Sequence, residues 1–381
     1  MEKAKQERYS EALADFSQAI FLQPDYISAY KYRGLVYAIL GNDRKANADL
    51  HRVSLLQKRG QPTEHRSSPF GQTPPPTGPA GSPWHCAGTL RNHNEGISAI
   101  ALSPDSRYLV TSSYDQTLRV WQLSTGRSLR ILTGHDGPVY CVAISPDGRW
   151  VASGGEDHTV RLWNMQNGRL VRTLGGWMGG HSLAVLTVAF HPDRKRLVTG
   201  GADKTLRVWQ FDQGKELHCL TGYKEGVTGV ALSPDGSVLV SSSLEKTLKI
   251  RQMSSGRLVR SHRNNYHILA LRFNSDGSRL FTGTSEHQIC AWDLEAGEVV
   301  QTYGGSQGPV SAIALSANGQ TLFSGSASGE IKGWALGSGR EKFSLCDHRQ
   351  QITGLVVTAD GNTLASGSLD GTVKIWWRSR T

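Results

Sequence analysis

The chain has 381 residues, with 42 basic against 32 acidic side chains, a net charge of +10, and 43 glycines beside only 14 prolines. That glycine excess points to frequent tight turns rather than to collagen or disorder. With 38 % hydrophobic residues and 10 tryptophans the chain can bury a core, while no apolar run approaches the ~18 residues of a membrane helix.

Residues 1–58 are rich in Ala, Leu, Tyr and charge, and their apolar side chains recur with a helical period. Ala12, Asp15, Phe16 and Ala19 are followed 34 positions later by Ala46, Asp49, Leu50 and Val53. This spacing, with Pro24 closing one unit and Gly34 and Tyr37 in the next, resembles the tetratricopeptide repeat (TPR). About one and a half repeats are present, an all-α TPR-like segment shorter than the three or so units such arrays need. Residues 59–83, with GQPTEHRSSPFGQTPPPTGPAGSP starting at Gly60, form a Pro/Gly-rich linker that can build no core.

From residue 84 to 381 one unit repeats. Trp121, Trp163, Trp209, Arg251, Trp292, Trp334 and Trp376 are equivalent, at intervals of 42, 46, 42, 41, 42 and 42. Within each unit, period-2 runs alternate with turns such as Ser-Pro-Asp-Gly, which predicts four short antiparallel strands. The pattern resembles the WD40 repeat and implies an all-β seven-bladed β-propeller. Trp84–Leu90 reads as an orphan fourth strand that would complete the last blade and remove the open edges of the ring.

The resemblance implies structural tetrads of His, Ser/Thr, Asp and Trp. They are His93, Thr111, Asp115, Trp121; His135, Ser153, Asp157, Trp163; His181, Thr199, Asp203, Trp209; and His348, Ser366, Asp370, Trp376. Four-fold repetition argues against reading any one set as a nucleophilic triad. The other units depart from the pattern, with Tyr223, Ser241, Glu245, Arg251; Asn264, Thr282, Glu286, Trp292; and Ser306, Ser324, Ser328, Trp334. Blades 4–6 are therefore expected to be less fully braced.

Function in propellers sits on loops and the channel mouth. Residues before the tetrad acid and at the start of each first strand place Tyr114, Tyr140, Leu186, Leu244 and Leu269 in one apolar sector, beside Glu156. The long interval locates an insertion, GGWMGGHSL, that presents Trp177 and Met178; both residue types favour protein contact. Arg119, Arg161, Arg207, Lys249, Lys332 and Lys374 recur two positions before the Trp equivalent, a decorated ring rather than a nucleic-acid track.

No phosphate loop, zinc spacing or His-Glu-x-x-His appears, so no cofactor, metal or catalytic residue is expected. The five cysteines are scattered and odd in number, as fits reduced thiols, and MEKAKQERYS has no apolar signal core, so a cytoplasmic, monomeric propeller is expected, with no membrane insertion. The sequence thus points to a non-enzymatic scaffold for a protein or peptide. A nucleic-acid-associated basic propeller and a channel-site enzyme are the alternatives.

Overall fold

A computed structural model describes residues 83–175 and 179–379, together with Tyr30, Arg33, Tyr37, Lys45, Ala46, Ala48 and Asp49. Those seven are helical, and Arg33 grips Asp49 through Nε and Nη2, each bond 2.8 Å long. The rest of the TPR-like segment and the linker up to residue 82 lie outside the described residues, as do Trp177 and Met178.

Among the described residues, twenty-eight strands form seven four-stranded antiparallel sheets. Six sheets are sequential; blade 1, for example, takes Ile97–Leu102, Tyr108–Ser113, Leu118–Gln122 and Arg127–Leu132 in that order. The seventh is made of Ile352–Val357, Thr363–Ser368 and Val373–Arg378, with Trp84–Leu90 as its outer strand. Trp84 pairs with Arg378 and Leu90 with Val373, so the first and last strands of the ring are zipped together. Trp84 is buried and meets Phe323 of blade 6 edge-on, ring centroids 5.6 Å apart.

No single core fills the molecule. Instead, seven apolar clusters each span two neighbouring blades. Between blades 2 and 3, Leu162 and Leu174 pack with Val185, Leu197 and Trp209. Alternation explains this arrangement, because successive residues of a strand face opposite sides of their sheet and each side meets a different neighbour. A close approach of the blades also requires small residues, and part of the glycine content lies there rather than in turns. Gly154, Gly200, Gly283, Gly325 and Gly367 are interior to second strands, where an added Cβ would collide with the next blade.

Every inner strand carries a β-bulge after its first residue. The register skips one position in each blade, and the skipped residues are Ser98, Tyr140, Leu186, Thr228, Leu269, Ser311 and Thr353. A bulge takes its residue out of the ladder and re-aims the side chain. The seven bulges therefore set seven side chains around one mouth of the channel.

Candidate functional site

In blade 1 His93 Nδ1 lies 2.8 Å from Asp115 Oδ2 and Nε2 lies 2.7 Å from Thr111 Oγ1, while Trp121 Nε1 donates to the same hydroxyl at 3.0 Å. The indole occupies the hydroxyl as acceptor, so the hydroxyl donates to Nε2 and Nδ1–H donates to the carboxylate. Blades 2, 3 and 7 repeat this geometry at Ser153, Thr199 and Ser366. All four hydroxyls are wholly buried. No substrate can reach them, and these groups act as braces rather than nucleophiles.

Burial alone would raise the Asp157 and Asp203 carboxyls. Hydrogen bonds from His135 and His181 outweigh it, aided by the Thr159 and Thr205 hydroxyls and the Asp136 and Ser182 amides, and hold both acids well below the usual carboxylate range.

Blade 4 departs from the expected loss of bracing. Tyr223 replaces the imidazole and its hydroxyl lies 2.7 Å from Ser241 Oγ. Lys249 Nζ stands 4.2 Å from the Tyr223 ring centroid and 3.1 Å from Glu245, and Arg251 donates to the carbonyls of Gly256 and Thr221. The site has been rebuilt with cation–π and charge-assisted bonds, leaving Arg251 Nε buried without a partner. In blades 5 and 6 only the indole bonds persist, Trp292 to Thr282 and Trp334 to Ser324.

The bulged residues divide the mouth into two arcs. In blades 6, 7 and 1, Ser311, Thr353 and Ser98 donate to the carbonyls of Ile352, Ile97 and Val139, latching each blade to the next. In blades 2 to 5 the bulged residues are Tyr140, Leu186, Thr228 and Leu269; Thr228 Oγ1 lies 3.4 Å from Ser242 Oγ of its own blade and latches no neighbour, and Leu269 and Leu244 are 43 % and 51 % exposed. Tyr114 meets Tyr140 edge-on at 5.8 Å between centroids, and the Tyr140 hydroxyl donates to Glu156 at 2.5 Å. The structure thus joins Tyr114, Tyr140 and Glu156 into one cluster and sets Leu186, Leu244 and Leu269 farther round the same rim.

Sequence reasoning missed Glu95, half-buried on the loop that enters blade 1. Burial and the Asp115 charge push its carboxyl up to about 7. The loop carrying Trp177 and Met178 is pinched at its base, where Gly175 takes a positive φ of 82° and a Cβ on Gly180 would strike the Gly175 backbone.

Five of the six regularly placed cations have carboxylate partners. Arg161 pairs with Asp157 and Asp136, Arg207 with Glu216, Lys249 with Glu245, Lys332 with Glu341 and Lys374 with Asp347. Among the described residues no cluster of His, Cys, Asp or Glu could hold a metal ion, and the five cysteines are free thiols.

Repeated buried braces, and a rim of bulged residues on a rigid ring, define a repeat propeller whose variable chemistry lies at its loops. The family model described as WD domain, G-beta repeat matches residues 84–122, 126–164, 168–210, 214–251, 255–293, 297–335 and 339–376. The chain belongs to the WD40 family. It is 42 % identical over 43 residues to Ribosome biogenesis protein BOP1 homolog of Monosiga brevicollis, a match covering 11 % of this chain and 5 % of that protein. It is 47 % identical over 47 residues to WD repeat-containing protein pop1 of Schizosaccharomyces pombe, covering 12 % and 6 %. With Ribosome biogenesis protein erb1 of Aspergillus clavatus the identity is 33 % over 86 residues, 23 % and 9 %. These matches span only small parts of the relatives' lengths.

Proposed function

We propose that this protein is a non-catalytic scaffold that holds a polypeptide partner on the propeller face bearing the seven bulged residues. The observation that carries this reading is the asymmetry of that face. Its hydroxyl arc is consumed by blade-to-blade latches, whereas the arc through Tyr114, Tyr140, Leu186, Leu244 and Leu269 presents aromatic and aliphatic side chains beside the Glu156 carboxylate. A rigid aromatic cluster with a polar handle is the composition of an interface anchor. Trp177 and Met178, which lie outside the described residues, are assigned to the same partner by their chemistry alone, and the TPR-like segment is assigned the role of a second attachment arm. Relatives named as ribosome biogenesis proteins fit a scaffold of this kind. Pairing of the recurring cations within their own blades disfavours a nucleic-acid track.

The test compares proteins captured by the tagged full chain with those captured by a Tyr114→Ala/Tyr140→Ala variant and, on the latched arc, a Ser311→Ala variant. The double variant should lose specific partners at an unchanged melting temperature, while Ser311→Ala keeps them. Equal capture by all three would overturn the reading.

A further inference from the structure

The aromatic pair on the bulged face sits in an acidic corner of a basic protein. Tyr140 donates its hydroxyl to Glu156 Oε2, and a Cβ added to Gly137 would stand 3.0 Å from Glu156 Cβ, so the stem of this glutamate rests on the loop that enters blade 2. The Glu156 side chain is exposed and forms no ion pair with any described residue. Tyr114, edge-on to Tyr140, has its backbone N–H bonded to the carbonyl of Gly96, the residue after Glu95.

Charge is divided unevenly over this face. The loops that enter blades 1 and 2, and those that follow their second strands, carry Glu95, Asp136 and Glu156 beside the buried brace acids. Among the described residues of these four loops, Arg91 is the only lysine or arginine. Arg161, reaching up from its strand, is engaged by Asp157 and Asp136. The corresponding loops of blades 3 and 4 carry Lys204, Lys224 and Lys246 instead, and the rim beyond them is aliphatic, with Leu244 and Leu269 exposed. A chain of net charge +10 thus gathers its uncompensated loop carboxylates beside its exposed aromatic pair. Aromatic rings attract a cation to their faces, and a carboxylate fixed in the same cluster adds a charge-assisted bond.

We infer that the Tyr114–Tyr140–Glu156 cluster receives a lysine or arginine side chain of the polypeptide partner, whose neighbouring apolar residues run on toward Leu186, Leu244 and Leu269. The inference rests on the scaffold reading of this face and names the chemistry of what binds there.

The probe is a random peptide library displayed on phage and selected on the immobilised full chain. Enriched peptides should carry a lysine or arginine at a fixed spacing from apolar residues. Replacing that cation with norleucine in the tightest peptide should weaken binding about tenfold, and so should Glu156→Gln in the protein. Glu156→Gln alters an exposed side chain and should melt with the parent. The two changes together should again cost about tenfold rather than a hundredfold, because they remove the same contact. Peptides enriched without a preferred cation, or losses that multiply in the combined change, would overturn this inference and leave the scaffold reading standing. If no peptide is enriched, or if the enriched ones bind the Tyr114→Ala/Tyr140→Ala variant undiminished, both readings fall.

Discussion

The Tyr223 hydroxyl lies 2.7 Å from Ser241 Oγ, taking the place that an imidazole nitrogen holds at the matching hydroxyl in four other blades. Blade 4 therefore keeps the bond between its entry loop and its second strand with a different donor–acceptor pair. Ser241 is fully buried and Tyr223 nearly so, so removing the hydroxyl leaves Ser241 without that partner. Tyr223→Phe should destabilise the propeller by ~1–3 kcal/mol, seen as a lower urea midpoint at constant slope. An unchanged midpoint would show that the cations around the ring, not the hydroxyl, hold this blade.

Closure of the ring depends on an aromatic anchor as well as on backbone pairing. Trp84 stands edge-on to Phe323 and 6.0 Å from Phe343, both in blade 6, while its own strand pairs with Val373–Arg378 of blade 7. It thus ties two blades at the seam. Trp84→Ala should cost about 3–5 kcal/mol, as large-to-small core changes do, and should speed amide exchange first in blades 6 and 7. Exchange that accelerates evenly around the ring would contradict a local seam.

Acid sensitivity of blade 7 follows from two groups that shift in the same destabilising direction. His348 is held below its ordinary 6.5 chiefly by burial, which outweighs the pull of Asp370. Burial would raise Asp370, but bonds from the Thr372 hydroxyl, the Arg349 amide and His348 bring it to about 2. Both groups bind protons less readily folded than unfolded, so folding stability falls as protons are added. The His348 contribution is lost as pH falls below about 6.5, and the Asp370 contribution as pH falls from about 3.8 toward 2. Melting temperature should decline in these two windows, and Asp370→Asn should flatten the lower one while lowering stability at neutral pH. A lower limb unchanged in the variant would exclude Asp370 as its source.

The seven units and their blades were legible because one indole position recurs through the ring and each unit must bury the same faces. Tyr114, Tyr140, Leu186, Leu244 and Leu269 were legible as a sector for the same reason, since an equivalent position in each unit occupies an equivalent place on the ring. What made Tyr140 and Leu269 distinctive, the bulge that lifts them from the ladder, is a property of strand pairing and leaves no mark in a single strand's pattern. The replacement of His by Tyr223 was visible, but not the compensation, which required Lys249 and Arg251 to arrive at the same ring.

Glycine gives the sharpest separation between turn and packing roles. In the turns Gly148 and Gly236 take φ of 70° and 75°, whereas Gly283 lies within the strand Arg279–Thr284, and a Cβ there would sit 2.5 Å from the carbonyl oxygen of Val310 in blade 6. At Gly154 the obstruction is side chain, Val185 Cγ1 at 2.5 Å and Cβ at 2.8 Å with Cys141 Sγ at 2.9 Å, of which only the Val185 γ carbon and the sulfur can turn aside; at Gly283 the nearest atom is the backbone oxygen of Val310, so blades 5 and 6 must part to admit a methyl group. Gly283→Ala should therefore lower stability by ~1–3 kcal/mol through overpacking, and by more than Gly154→Ala. Gly337→Ala, with nothing within 4 Å of the added carbon, is the control and should leave the melting temperature unchanged. If Gly283→Ala melts with the control, the blades have room that this packing denies them, and glycine at this strand position must be explained by something other than blade-to-blade approach.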